Sequence, residues 1–170
     1  MCLCCLIGWL VHVGVAQADP ALIVWPADWT EQPVPAPANA IRQRAVKTDA
    51  NGEPQMVVEL SRSALQQGHQ VNLEAVLLEM RKALQINFNR GGYQSLCTSV
   101  REGTLGDLAA LQTTCKITLN GNHVMTQTLV AAVEQGTAYA FSYAGSVQGY
   151  ASLEPEVTGI RQSLRFKPTI

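Results

Sequence analysis

Charged side chains are scarce in this chain. Only 15% of its 170 residues are Asp, Glu, Lys or Arg, and the 12 basic residues nearly balance the 13 acidic ones. A protein that binds nucleic acid needs a concentrated basic surface, because Lys and Arg must neutralise several phosphates. The basic residues here are scattered, apart from Arg42, Arg44 and Lys47. The composition therefore gives no electrostatic basis for a nucleic-acid partner or an anionic membrane surface. Arg42, Arg44 and Arg101 still suggest two alternatives, an anion site on one sheet edge or a charged exposed strand.

Motifs for catalysis and metal binding are also lacking. Beyond residue 18 the histidines are His69, in a polar loop, and His123, just after a turn. Neither has an Asp or Cys at the spacing of a metal site or a catalytic triad. No Gly-x-Ser-x-Gly nucleophile motif occurs, since the glycines of Gly145–Gly149 are wrongly spaced around Ser146. We therefore predict no catalytic residue, no metal and no cofactor, and we interpret both histidines as solvated loop residues.

Charge is absent altogether from residues 1–18. Their apolar run ends in Ala-Gln-Ala at 16–18, the small-x-small pattern that signal peptidase recognises. We predict a secretory signal peptide cleaved after Ala18, and hence a periplasmic or secreted protein without an integral membrane span. The missing basic n-region would be explained by a true start upstream. A buried N-terminal helix or strand, a membrane anchor and lipidation of an N-terminal cysteine are the alternatives.

Cleavage at that point leaves two cysteines, Cys97 and Cys115. An even number of cysteines in an exported protein predicts a disulfide. Closing a loop of this length would stabilise the fold by about 3 kcal/mol. No His or third Cys accompanies the pair at ligand spacing, which argues against a metal site. The alternative is a pair of free, buried thiols.

Residues 19–40 form a segment rich in Pro and Ala, and they precede a single domain at 41–170. Proline removes backbone donors and restricts its neighbours to extended conformations, so the segment is predicted to be an extended surface arm. Trp25 and Trp29 are unusual in a free linker. We expect them to dock the arm onto the domain; a platform for a carbohydrate or aromatic ligand is the alternative.

The stretch 105–146 predicts an antiparallel meander of three strands. Its turn signals are Asn-Gly at 120–121 and Glu-Gln-Gly at 134–136, and Asn-Gly is the strongest short-range sign of a hairpin. A further hairpin is predicted from strands at 41–48 and 55–62 around a turn at Asn51-Gly52. One more strand is expected at 93–101.

Two helices are predicted beside these strands. The first spans 72–89, with Asn72 as its cap and apolar residues at helical spacing on one face. The second spans 152–164, with Ser152 as its cap and Glu154 and Glu156 in its first turn. One-faced helices of this kind cover a sheet, so the fold class is α+β.

Tyr139, Phe141 and Tyr143 share one face of the last meander strand, because side chains alternate along a strand. Two interpretations follow. The three rings belong to the core, or they line a groove between sheet and helix that binds an apolar ligand or a partner segment.

The sequence QTLVAAVEQGTAYAFSYAG, followed by a helix and the ending IRQSLRF, resembles the Mog1/PsbP-like fold, including the DcrB-type exported proteins of Gram-negative bacteria. The corresponding residues are Gly136, Tyr139, Phe141, Tyr143 and 163–166, and the likeness covers 54–166. The resemblance implies an antiparallel sheet in an α/β/α sandwich and a non-enzymatic accessory role. It carries over no catalytic residue, and the cysteine pair and the arm are not part of the pattern.

Taken together, these features predict an exported envelope protein that acts as a non-catalytic binding or accessory module. Its partner would be another envelope protein or a small ligand. The alternative is a hydrolase or other enzyme with an unrecognised site, which would require a deep pocket where titratable groups converge.

Overall fold

The computed structural model describes residues 22–68 and 70–166. The predicted signal peptide, its cleavage site and His69 lie outside these residues. The described ranges form eight strands and two helices. In chain order they are β1 (Thr30–Gln32), β2 (Ala40–Thr48), β3 (Pro54–Ala64), α1 (Leu73–Asn89), β4 (Tyr93–Cys97), β5 (Arg101–Leu105), β6 (Leu108–Leu119), β7 (Asn122–Glu134), β8 (Thr137–Ser146) and α2 (Val147–Ser163).

All strands belong to one antiparallel sheet with the order β1-β2-β3-β8-β7-β6-β4, and β5 also pairs with β6. The meander β6-β7-β8 turns where the sequence predicts. At each turn both central residues have positive φ: 51° and 81° at Asn120 and Gly121, and 46° and 75° at Gln135 and Gly136. Such turns match the twist of the flanking strands. The predicted α+β class and the meander are confirmed.

Helix α1 is the helix predicted at 72–89, with the predicted cap. The side chain of Asn72 accepts a hydrogen bond from the backbone N–H of Ala75 at 3.1 Å. Leu77 is fully buried against a cluster that includes Cys115, Ile117 and Leu129. In the described ranges, neither α1 nor α2 is long and apolar enough to cross a membrane.

Helix α2 begins five residues earlier than predicted, at Val147. Its cap is Ser146, whose side chain accepts from the backbone N–H of Gly149 at 3.0 Å. The predicted cap, Ser152, lies inside the helix. The reason is tertiary: β8 turns directly into α2, and Gly149 approaches the Gln55 carbonyl so closely that a Cβ would collide with it. Glu154 and Glu156 therefore lie beyond the first turn.

The strand predicted at 93–101 is divided into β4 and β5, which both pair with β6. Cys97 lies opposite Cys115, whereas Arg101 lies opposite Gln112. Three residues, 98–100, thus face the two residues 113–114, which is the bulge that the predicted disulfide needs. The two cysteines are bonded, with their Cα atoms 3.8 Å apart.

The arm lies along the domain and is held by its tryptophans. Trp29 is only 6% exposed, and its indole N–H donates to the Glu156 carboxylate at 2.7 Å. Trp25 stacks on Trp29, with ring centroids 6.1 Å apart. The middle of the arm also contributes β1, which pairs with β2. The expected docking of the arm is confirmed.

Candidate functional site

The two faces of the sheet carry different side chains, because neighbouring residues of a strand point to opposite faces. Strand β8 shows this most clearly. Phe141 and Tyr143 point toward α2 and are buried, whereas Ala140 and Ser142 point toward the face that α1 partly covers and are half-buried.

The α2 face is closed by packed aromatic rings. Tyr139, Phe141 and Tyr143 are 9%, 0% and 5% exposed. Tyr143 stacks on Tyr150 of α2 at 5.4 Å between centroids, and Tyr139 contacts Phe166 at 4.3 Å. The structure thus places the three predicted residues in the core, and the open cleft described below lies on the other face of the same strand.

A chain of hydroxyl groups runs beneath α2. Tyr150 and Thr128 share a hydrogen bond of 2.6 Å, and Thr128 shares another of 2.8 Å with Thr114 on β6. Burial raises the pKa of Tyr150 well above its usual value, so the phenol stays neutral. The chain satisfies polar groups that would otherwise be buried alone, which is a structural role.

The opposite face is only half covered. Helix α1 packs over β4, β6 and β7, whereas β3 and β8 are left beside it. Between them lies a cleft of about 360 Å³. We call it the α1 cleft and define it by Pro37, Ala40, Arg42, Glu59, Ser61, Ser63, Met80, Ala140 and Ser142. A larger hollow of about 560 Å³ adjoins it along α1, bounded by Val76, Met80 and their neighbours.

The floor of the α1 cleft is built from small side chains. Ser61 and Ser63 on β3 lie opposite Ala140 and Ala138 on β8. None of them extends far above the sheet, so the cleft exists without any side chain having to move. Met80 of α1 forms one wall, and a half-buried Val76 borders the deeper end.

The other wall is an ion-paired cluster. The Nε atoms of Arg42 and Arg44 each donate to the Glu59 carboxylate at 3.0 Å, one to each oxygen. Arg42 also donates to the Pro35 carbonyl of the arm at 2.9 Å. Two guanidinium groups thus share one carboxylate, which leaves this wall with a net positive charge. Arg101, grouped with these arginines in the sequence analysis, lies on β5 and is not part of the cluster.

A family model described as a domain of unknown function, DUF4946, matches residues 20–166. The chain belongs to the DUF4946 family. No curated protein matches the chain. The match spans the arm, the whole sheet and both helices of the DUF4946 domain, so the α1 cleft lies wholly within it.

Solved structures show the fold of this DUF4946 domain. The solution structure of cyanobacterial PsbP (CyanoP) from Synechocystis sp. PCC 6803 has a TM-score of 0.65 and 12% identity, covering 95% of this chain and 99% of that one. LpqN of Mycobacterium tuberculosis, a protein involved in cell envelope biogenesis, has a TM-score of 0.52 and 20% identity, covering 86% and 82%. PA94 of Pseudomonas aeruginosa, a protein of unknown function, has a TM-score of 0.50 and 10% identity, covering 83% and 99%. The predicted PsbP-like fold is confirmed.

The sequence patterns above did not lead to a prediction of the α1 cleft, although the alternation that forms its floor is present in β8. Alternation along β8 placed the large aromatic residues on one face, and it equally placed Ala138, Ala140 and Ser142 on the other. His123, in contrast, lies at the far end of β7, where its Nε2 is 3.0 Å from both the Met125 carbonyl and the Thr126 hydroxyl. No group of three or more His, Cys, Asp or Glu in the described ranges could hold a metal ion.

Proposed function

We propose that this protein is an exported accessory protein of the cell envelope that binds a partner segment or small ligand in the α1 cleft without transforming it. The observation that carries the proposal is the half-covered sheet face. A sheet face of this size is normally buried by a helix, whereas here its floor of small residues leaves a formed concave site.

Export is supported by three independent features. The uncharged run at 1–18 ends in a signal-peptidase pattern. The Cys97–Cys115 bond is of a kind that persists in oxidising compartments. The similar structure of LpqN belongs to a protein involved in cell envelope biogenesis.

The chemistry of the cleft favours binding over catalysis. Its floor offers the hydroxyl groups of Ser61, Ser63 and Ser142. Among the described residues, no side chain that could act as a general base is hydrogen-bonded to any of these three hydroxyl groups. The Glu59 carboxylate, which a hydrolase would use as a base, is held by Arg42 and Arg44. The surface suits a ligand with an apolar body and an anionic or neutral polar end.

The test uses the apolar, anionic dye anilinonaphthalene sulfonate as a probe of the mature protein. We expect Ala140→Phe, which fills the floor, to weaken dye binding by about tenfold, or about 1.4 kcal/mol. The matched control is Ala109→Phe, on an exposed position of β6 outside the cleft, which should bind like the wild type. Circular dichroism checks that both variants fold.

Equal dye binding by the wild type and both variants would remove the α1 cleft as a binding site. Hydrolysis of a chromogenic ester or phosphate by the wild type, lost in Ala140→Phe, would instead support the enzyme alternative. Intact-mass analysis of protein from the native host tests export, since the expected mature chain begins at Asp19.

A further inference from the structure

The two edges of the sheet differ in how they are protected. At one edge β1 has only three residues, includes Glu31, and is followed by Pro33 and Pro35. Short length, charge and proline all prevent another strand from adding to an edge. At the other edge β4 has the sequence Tyr-Gln-Ser-Leu-Cys, with neither charge nor proline. Leu96 in this strand is 77% exposed.

Strand β4 is also an ordered template. Its inner side pairs with β6 over all five residues, and within the described ranges no strand pairs with its outer side. The Cys97–Cys115 bond fixes one end of β4 to β6. At the other end the Tyr93 ring packs edge-on against Phe88 of α1, with centroids 5.8 Å apart. An incoming strand would therefore meet a backbone that is already extended and immobilised.

A groove follows this edge between β4 and α1. We call it the β4 groove; it has a volume of about 350 Å³ and is lined by Leu78, Arg81, Lys82, Gln85, Ser95, Leu96 and Cys97. Leu78 is 49% exposed on the flank of α1 that borders the groove. The groove thus combines the exposed Leu78 with two cations, whereas the side chain of Leu96 points to the opposite face of β4.

The charges near the groove are predominantly positive. Lys82 has an ion pair with Glu79 at 3.9 Å, but both side chains are well exposed, and such pairs contribute little. On the other face of β4, Lys116 lies directly opposite Leu96 and is exposed as well. No carboxylate lines the groove itself. Its electrostatic complement is an acidic segment.

We propose that the β4 groove binds an extended, acidic segment of a partner protein, which adds a strand to β4. The backbone of the segment would bond to the outer side of β4, as in other cases of strand addition. Alternate side chains would then contact Leu78, Arg81 and Lys82 on one side and Leu96 and Lys116 on the other. The site is separate from the α1 cleft, because the cleft contacts a different flank of α1.

The experiment uses the mature, oxidised protein and two short acetylated peptides. In one, glutamate alternates with valine; in the other, lysine alternates with valine. Titrations followed by NMR of the backbone amides should show shifts centred on β4 with the acidic peptide, and binding about tenfold tighter than that of the basic peptide. The double variant Arg81→Glu with Lys82→Glu should reverse this preference.

Two controls make the result specific. Arg165→Glu changes charge at an exposed site beyond α2 and should leave the preference for the acidic peptide intact. An acidic peptide with every second amide methylated cannot supply the strand hydrogen bonds and should not bind. Dye binding at the α1 cleft reports that each variant is folded.

Equal binding of the two peptides, or amide shifts that lie away from β4, would overturn the proposal. So would a dimer in sedimentation that Leu96→Glu dissociates, since the occupant of the edge would then be a second copy of this chain.

Discussion

The two faces of the sheet are built from the same strands, yet they are stabilised differently. The α2 face holds the larger cluster, in which Phe141, Met56 and Leu60 are fully buried and the arm adds Trp29. The α1 face has a smaller cluster around Leu77, a disulfide, and an area of small residues that neither α1 nor α2 covers. One face therefore provides most of the hydrophobic stabilisation, which leaves the other free to form clefts.

Substitutions at neighbouring residues of β8 should show the largest difference between the two faces. Phe141→Ala removes a fully buried ring from the α2 face and should lower the free energy of unfolding by about 3–5 kcal/mol. Ser142→Ala, one residue further on the α1 face, should change it by less than about 0.5 kcal/mol. Urea denaturation of both variants gives the measurement. Similar losses at the two positions would show that the faces do not differ as described.

Much of the fold, including the division of side chains between the two faces of the sheet, could be predicted from local sequence patterns. The hairpins follow from Asn120-Gly121 and Gln135-Gly136, whose positive φ few other residue pairs tolerate. Helix α1 follows from its Asn72 cap and its one-sided apolar spacing. Alternation also assigned the rings of β8 to a single face. In each case the signal lies within a few residues of the feature it predicts.

The features that the sequence did not predict depend on contacts between residues that are distant in sequence. The early start of α2 depends on Gly149 fitting against Gln55 of β3. Glu156 was predicted in the first turn of α2, but it lies further along the helix and binds Trp29 and Lys47. The α1 cleft depends on which strands α1 covers, and periodicity alone does not specify that. A sequence pattern assigns a side chain to a face, but it does not say what covers the face.

The disulfide provides the second test, since it crosslinks the face with the smaller cluster. Reduction should lower the free energy of unfolding by about 3 kcal/mol and the melting temperature by several degrees. Calorimetry with and without a reductant measures the loss. The variant with both Cys97→Ser and Cys115→Ser should already melt at the reduced value and should not respond to the reductant. Two reactive thiols in the unfolded, unreduced protein would show that the bond is absent.

The smallest expected change in the free energy of unfolding concerns the arm, which completes the α2 face. The Lys47 ammonium lies 2.6 Å from both Asp28 of the arm and Glu156 of α2. The hydrogen bond from the Lys47 ammonium holds the pKa of Asp28 below its ordinary value of 3.8. Burial lowers the pKa of Lys47, but its hydrogen bonds to both carboxylates outweigh this and raise the pKa above 10.5. The ion pair between Lys47 and Asp28 is therefore fully formed between pH 3.8 and pH 10.5.

The signs of these shifts define where the arm should loosen. A carboxyl group with a lowered pKa stabilises the fold above its ordinary pKa, and this contribution is lost as the pH falls through the lowered value. An ammonium with a raised pKa loses its contribution only in strong alkali. Beyond residue 18 the tryptophans are Trp25 and Trp29, so the intrinsic fluorescence of a chain that begins at Asp19 reports the arm directly. We expect a change below pH 3.8 that precedes global unfolding.

Glu156→Ala should bring that loosening to neutral pH, because it removes the acceptor of the Trp29 indole and one partner of Lys47. The free energy of unfolding should fall by about 1 kcal/mol, since Lys47 keeps its contact with Asp28 and exposed ion pairs contribute little. Glu102→Ala, an exposed carboxylate on β5, is the matched control and should leave the fluorescence unchanged. If Glu156→Ala also leaves it unchanged, the contacts of Glu156 are not needed to hold the arm, and the packing of its tryptophans, the Asp28–Lys47 pair and the pairing of β1 with β2 are sufficient. In that case the closure of the α2 face would not depend on the charge of Glu156.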